Sequence, residues 1–92
     1  MTVVIKTNLQ KHIFGLPKLL LMTQEEVLYK VGAKIKQIRG AKNMTQKALA
    51  QECSFEKANM SRIESGQTNA TILTLYKISS ALEVQVADLF VD

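Results

Sequence analysis

Cysteine, histidine, proline and tryptophan are nearly missing from this 92-residue chain, which holds one, one, one and none of them. A lone cysteine, Cys53, excludes an intramolecular disulfide and any multi-cysteine zinc site. A lone histidine, His12, excludes metal sites built on histidine pairs and leaves little basis for a histidine-dependent triad. A single proline and four glycines leave little loop material. Long hydrophobic runs are missing too. The most apolar stretch near the front, residues 13–22, is about half the length that spans a bilayer, and Pro17 and Lys18 interrupt it. No small-residue cleavage site follows it, so neither a membrane association nor a signal peptide is expected, and the expected location is cytoplasmic. What remains is 47% hydrophobic and 22% charged, enough for one core-building domain rather than a disordered tail. A unit of this size buries only roughly 60% of its unfolded surface, so its stability should be modest and a partner subunit would help. These counts point to a small, reduced, helical protein that is not an enzyme.

The net charge of +4 is unevenly spread. Residues 1–21 carry Lys6, Lys11 and Lys18 and no acid. Residues 30–62 hold Lys30, Lys34, Lys36, Arg39, Lys42, Lys47, Lys57 and Arg62 against Glu52 and Glu56 alone. From residue 63 onward the acids Glu64, Glu83, Asp88 and Asp92 outnumber Lys77. A basic middle third suits a polyanion; on charge alone a solvated lysine face explains it equally well.

The chain divides near residues 22–23. Residues 1–22 form an N-terminal arm or extension, β-rich over 2–6 and punctuated by Gly15 and Pro17. Residues 23–92 read as the functional domain. Thr23 followed by Glu26 is a capping box, and Val27, Val31, Ile35 and Ile38 form one apolar stripe, predicting a first helix over about 24–42 that Asn43 can end. Thr45 caps a second short helix, about 46–53, with Ala50 at the close approach to the third, about 56–65. Met60 and Ile63 point inward from that third helix and Gly66 stops it. Thr71 caps a fourth, about 72–83, with Ile72, Leu75, Ile78 and Leu82 as its stripe, and a last turn over 86–90 returns Val86, Leu89 and Phe90 to the core. Such short connections predict an all-α, compact five-helix domain. Cys53, closing the second helix, reads as a small buried side chain.

Residues 44–66 carry the chemistry. Two short helices meet at a tight turn, and the second presents Lys57, Ala58, Ser61 and Arg62 on one face with Asn59 beside them. A short helix with a rigid base and a cationic outer face fits a DNA major groove about 12 Å wide.

With those residues in place, the chain resembles the lambda-repressor-like (Xre/Cro-type) helix-turn-helix DNA-binding family. The resemblance spans roughly residues 27–91. It is carried by residues 35–39 (Ile-Lys-Gln-Ile-Arg), 45–50 (Thr-Gln-Lys-Ala-Leu-Ala), 60–66 (Met-Ser-Arg-Ile-Glu-Ser-Gly), 75–82 and 86–90. It implies that Gln46 clamps a phosphate and can touch an outer base, and that Lys57, Ala58 and Arg62 fall on base-facing positions, with Ser61 beside them on the same face of the helix. It places Asn59, Gln67 and Asn69 at backbone phosphates. It makes Arg39 and Glu64 a structural ion pair tying the first helix to the third. The sequence departs from the family where Ser54 replaces a turn glycine, where Glu56 replaces the hydroxyl cap of the third helix, and where Ala70 replaces a proline.

The function so implied is a sequence-specific DNA-binding transcriptional regulator, a repressor by occupancy, binding a two-fold operator as a homodimer. The alternative is an antitoxin or other protein-interaction module that binds a toxin or another partner protein, with DNA binding secondary. No catalytic residues, metal or cofactor are expected. Residues 1–21 are open to three readings: an arm pairing with its copy in a partner chain, a basic tether, or an upstream extension before a start at Met22.

Overall fold

The computed structural model describes residues 22–91. The extended piece expected over 2–6, the turn at Gly15 and Pro17, and His12 lie outside the described residues.

Three of the four α-helices begin at a threonine cap. In α1 (Gln24–Ala41) the Thr23 hydroxyl accepts from the Glu26 amide at 3.1 Å. In return the Glu26 carboxylate accepts from the Thr23 amide at 2.9 Å. In α2 (Gln46–Glu52) the Thr45 hydroxyl accepts from the Ala48 amide at 3.0 Å, and in α4 (Ile72–Leu82) Thr71 accepts from the Thr74 amide at 3.1 Å. Caps of this kind contribute about 1 kcal/mol each by satisfying amides that have no intrahelical partner. Between α2 and α4, α3 (Lys57–Glu64) starts at Glu56, whose side chain makes no cap bond. A 3₁₀ helix, Val86–Phe90, ends the described chain, with the Asp88 carboxylate accepting from the Gln85 amide at 2.9 Å. The expected five helices are thus four α-helices and a 3₁₀ turn, each α-helix ending one residue before its expected limit.

The stops are left-handed residues. Asn43 (φ 59°) follows α1, Ser54 (φ 60°) follows α2, and Glu83 (φ 61°) follows α4. Ser54 occupies the position where a glycine would carry no steric cost, roughly 1 kcal/mol or more for a residue with a Cβ. The turn closes regardless, because the Phe55 amide donates to the Ala50 carbonyl at 2.8 Å.

The core is one cluster: Val31 and Ile35 from α1, Leu49, Ala50 and Cys53 from the α2 region, Met60 and Ile63 from α3, Leu75, Ile78 and Leu82 from α4, and Leu89. Burying each of the larger side chains contributes about 1.5–3 kcal/mol. Val27, Ile38, Met44, Phe55, Val86 and Phe90 pack around it half-buried.

One expected core residue is not there. Ile72 is 81% exposed. At about 100° per residue it lies roughly 90° from the centre of the 75/78/82 stripe, and it stands on the first turn of the helix. Leu73 and Tyr76 share this outer face, at 65% and 59% exposure. So α4 is apolar on both sides, and among the described residues only one side is covered.

Gly32 leaves no mark in the apolar periodicity of α1. This residue is buried in the middle of α1, and a Cβ there would stand 2.4 Å from the Ile63 carbonyl oxygen and 2.6 Å from that of Glu64. The absence of a side chain lets α1 lie directly on the C-terminal turn of α3. Gly66, at φ 76°, then turns the chain off α3. No strand occurs among the described residues, and none of their helices is long and apolar enough to cross a membrane.

Candidate nucleic-acid interface

The exposed face of α3 follows from how its other face is held. Met60 and Ile63 are buried at 0% and 4%, and Glu64 joins them at 5%. At about 100° per residue, Lys57, Ser61, Ala58 and Arg62 then fall within a strip roughly 140° wide on the opposite side. All of them are exposed, and Asn59 sits half-buried at the strip's edge. The strip has two long cations at its margins and two small residues between them, so the backbone of α3 can come close to a flat polar surface.

The base of the helix is fixed by charge. Glu64 is a buried carboxylate whose two oxygens accept three hydrogen bonds. Arg39 Nε donates to Oε2 at 2.7 Å, Arg39 Nη2 donates to Oε1 at 3.0 Å, and Gln46 Nε2 donates to Oε1 at 2.9 Å. Arg39 Nη1 donates to the Met44 carbonyl at 2.8 Å. The cluster therefore joins the end of α1, the α1–α2 turn, the first residue of α2 and the end of α3. Its side chains are shielded, Arg39 at 14% exposure and Glu64 at 2%. Charge-assisted, bidentate bonds in such a setting are stronger and more geometrically demanding than neutral ones.

Gln46, which the family resemblance implies as a phosphate clamp, is thus also tied to the buried cluster. One hydrogen of its amide is taken by Glu64, and the second remains available to a phosphate. The ionised carboxylate can only accept, so it also fixes which end of the Gln46 amide faces inward. The family resemblance implies the Arg39–Glu64 pair but not its link to Gln46; the sequence signal for that link is the place of Gln46 at the start of α2, beside the turn that Arg39 also bonds.

Beyond α3, Gln67 and Asn69 are exposed on the loop to α4, and the Gln67 amide donates to the Arg62 carbonyl at 2.8 Å. Of the residues expected at a DNA contact, Gln46 thus stands at the start of α2, Lys57, Ala58, Asn59, Ser61 and Arg62 stand on α3, and Gln67 and Asn69 stand on the loop that follows. Cys53 stands apart from that strip. Burial, helped by the neighbouring Glu52 carboxylate, pushes its thiol above the usual range while Lys77 pulls it back, so it is a poor nucleophile. Lys77 lies 5.9 Å from the centroid of the Phe55 ring, packing over the α2–α3 turn. No group of residues suited to hold a metal ion occurs among the described residues.

Known proteins share this arrangement of helices. The family model described as a Cro/C1-type HTH DNA-binding domain matches residues 34–92. The control protein C.BamHI of Bacillus amyloliquefaciens is 46% identical over 59 residues, covering 63% of this chain and 73% of that protein. The restriction-modification controller protein C.AhdI of Aeromonas hydrophila superposes with a TM-score of 0.67 at 28% identity, over 68% of this chain and 96% of that one. The wild-type restriction-modification controller protein C.Esp1396I gives a TM-score of 0.64 at 39% identity, over 70% of this chain and 83% of its own.

Proposed function

For a chain that belongs to the Cro/C1-type helix-turn-helix DNA-binding family, we propose a sequence-specific transcriptional regulator of the controller kind, acting on the genes of a restriction-modification system. The observation that carries this reading is the exposed strip of α3, anchored from behind by the buried Glu64 cluster. In this reading α3 enters the major groove. Lys57 donates to guanine edges, and Ala58 and Ser61 allow close approach. Arg62 reads a base or clamps a phosphate, while Gln46, Asn59, Gln67 and Asn69 hold the backbone. Repression follows from occupying the site, in the cytoplasm where the DNA is. No part of this requires catalysis or a cofactor.

Selection of bound sequences from a random DNA pool, at stated salt, gives the operator. Against that operator, Lys57→Ala is expected to cost roughly 1–3 kcal/mol and to relax preference at one position of each half-site. Arg62→Ala either does the same or weakens all sequences alike while lowering the salt slope by about one unit. Unchanged affinity and selectivity in both variants would sink the reading of α3 as the DNA-contacting helix.

A helix of this length reads too few base pairs alone, so the operator is expected to hold two half-sites about 34 Å apart, bound by a homodimer. The outward apolar face of α4, with Ile72, Leu73 and Tyr76, is the surface proposed to meet its copy. Exposed apolar residues grouped in this way mark association sites. Leu73→Glu is expected to leave a folded monomer in sedimentation and to weaken operator binding at least tenfold; an unshifted dimer would place the interface elsewhere.

Residues 23–92 hold every described helix and the cap that starts α1. C.AhdI is matched over nearly its whole length by about two-thirds of this chain. The truncated protein 23–92 is therefore expected to melt cooperatively and to bind the operator as the full chain does. Cooperative melting with loss of dimers would assign residues 1–21 to assembly, and loss of cooperative melting would make them part of the core.

A further inference from the structure

Glu56 is the one acid at the leading end of α3. It is exposed, its backbone is extended (φ −76°, ψ 148°), and its carboxylate accepts no amide of the first turn. The first bonds of the helix are made by its backbone instead, the Glu56 carbonyl accepting from the Asn59 and Met60 amides at 3.0 and 3.1 Å. Among the described residues no hydrogen bond or ion pair engages its side chain. A Ser, Thr, Asp or Asn at this position would fold back onto the helix and stabilise it by about 1 kcal/mol. The longer glutamate leaves that cap unmade.

The setting makes this costly in a DNA complex unless the carboxylate finds a donor. Glu56 immediately precedes Lys57, the residue proposed to read guanine, so the two side chains leave from the end of the helix that enters the groove first. A carboxylate there meets phosphates, which repel it, and the groove edges of the bases. Of those edges, guanine and thymine offer acceptors only, adenine an amino donor beside its acceptor N7, and cytosine the N4 amino donor with no acceptor beside it. An ionised carboxylate is acceptor-only, so cytosine matches it and guanine and thymine leave it desolvated and unpaired.

We propose that Glu56 is a specificity-determining residue that selects a cytosine in each half-site, next to the base read by Lys57, by accepting a hydrogen bond from its N4 amino group. This rests on the DNA-binding reading above. Glu56 rejects wrong sequences more than it adds affinity: the paired carboxylate roughly offsets its own phosphate repulsion at the correct site, and nothing offsets it elsewhere.

The test compares sequence selection by the full chain and by Glu56→Ala and Glu56→Gln, with melting curves to show that each variant is folded. The wild-type chain is expected to enrich cytosine at one position per half-site, and replacing that cytosine by thymine should weaken it about tenfold. Glu56→Ala should lose that discrimination alone, keep the preferences set by Lys57, and bind random DNA more tightly at low salt. Glu56→Gln should move the preference toward adenine, whose N6 and N7 suit an amide. If the variants bind every sequence more tightly and all positional preferences stay as in the wild type, the carboxylate only repels phosphate and the inference is overturned. If the wild-type chain selects no sequence at all, the DNA-binding reading itself fails, and this inference falls with it.

Discussion

Gly32→Ala is expected to lower the stability of the domain by about 3 kcal/mol, while Gly40→Ala, about two turns further along the same helix, raises it by up to about 1 kcal/mol. Helix propensity alone predicts a gain at both positions, since alanine loses less backbone entropy than glycine. Packing reverses the sign at one of them. At Gly32 the new methyl would stand 2.4 and 2.6 Å from the carbonyl oxygens of Ile63 and Glu64, which are backbone and cannot swing aside. At Gly40 a Cβ meets nothing within 4 Å. Relief at Gly32 requires α1 and α3 to separate, which opens the core at Val31 and Ile63 and pulls Glu64 from Arg39. Urea melts of both variants check this. For a domain of this size a loss of 3 kcal/mol lowers Tm by about 12 °C or more. Equal stability changes at the two positions would show that the α1–α3 contact yields easily. Operator binding by Gly32→Ala, measured where the variant is still folded, should also fall, because the same contact sets the angle at which α3 leaves the domain.

How far the sequence already carried this structure depends on the kind of signal. Caps were legible because they are chemical and local: Thr23, Thr45 and Thr71 each bond the amide three residues on, and the helices start there. The α1 stripe was legible because apolar spacing is a direct record of which face is covered. The same logic misplaced Ile72, since spacing says which residues are apolar but not how far the core extends past the end of a helix. It also gave no reason to separate the inner face of α4 from the outer one, where Leu73 and Tyr76 are exposed. Gly32 was invisible because a close backbone approach leaves no pattern along the chain; it exists only once α1 and α3 are laid together. At the candidate interface, the resemblance put Arg39 opposite Glu64 and put Lys57 and Arg62 on one strip. The link from Glu64 to Gln46 and the unbonded carboxylate of Glu56 needed side-chain geometry.

Glu64→Ala is expected to cost about 3–5 kcal/mol, the range found when one partner of a buried ion pair is removed. The reason lies in what stays behind more than in what is lost. The Arg39 guanidinium, 14% exposed, would keep its charge with its Nε and Nη2 donors unpaired, and the Gln46 amide would lose its acceptor. Arg39→Ala leaves the complementary problem, a carboxylate of 2% exposure with only Gln46 to balance it. Lys36→Ala, at an exposed position of α1, sets the baseline and should fall within about 0.5 kcal/mol of the wild type. The double variant Arg39→Ala/Glu64→Ala should be clearly less destabilised than the sum of the two single changes, because neither leftover charge remains. Glu64→Gln separates charge from shape. It keeps the packing and one acceptor oxygen, so it should fall between the wild type and Glu64→Ala in stability. Its amide can also donate, which releases the Gln46 side chain from its single orientation. If Gln46 owes its aim to the ionised Glu64, then Glu64→Gln and Gln46→Ala should weaken operator binding to a similar degree, and the two together no further than either alone. Additive losses would make Gln46 and Glu64 independent, and a stability of Glu64→Ala close to that of Lys36→Ala would mean that the cluster is not what holds α3 in place.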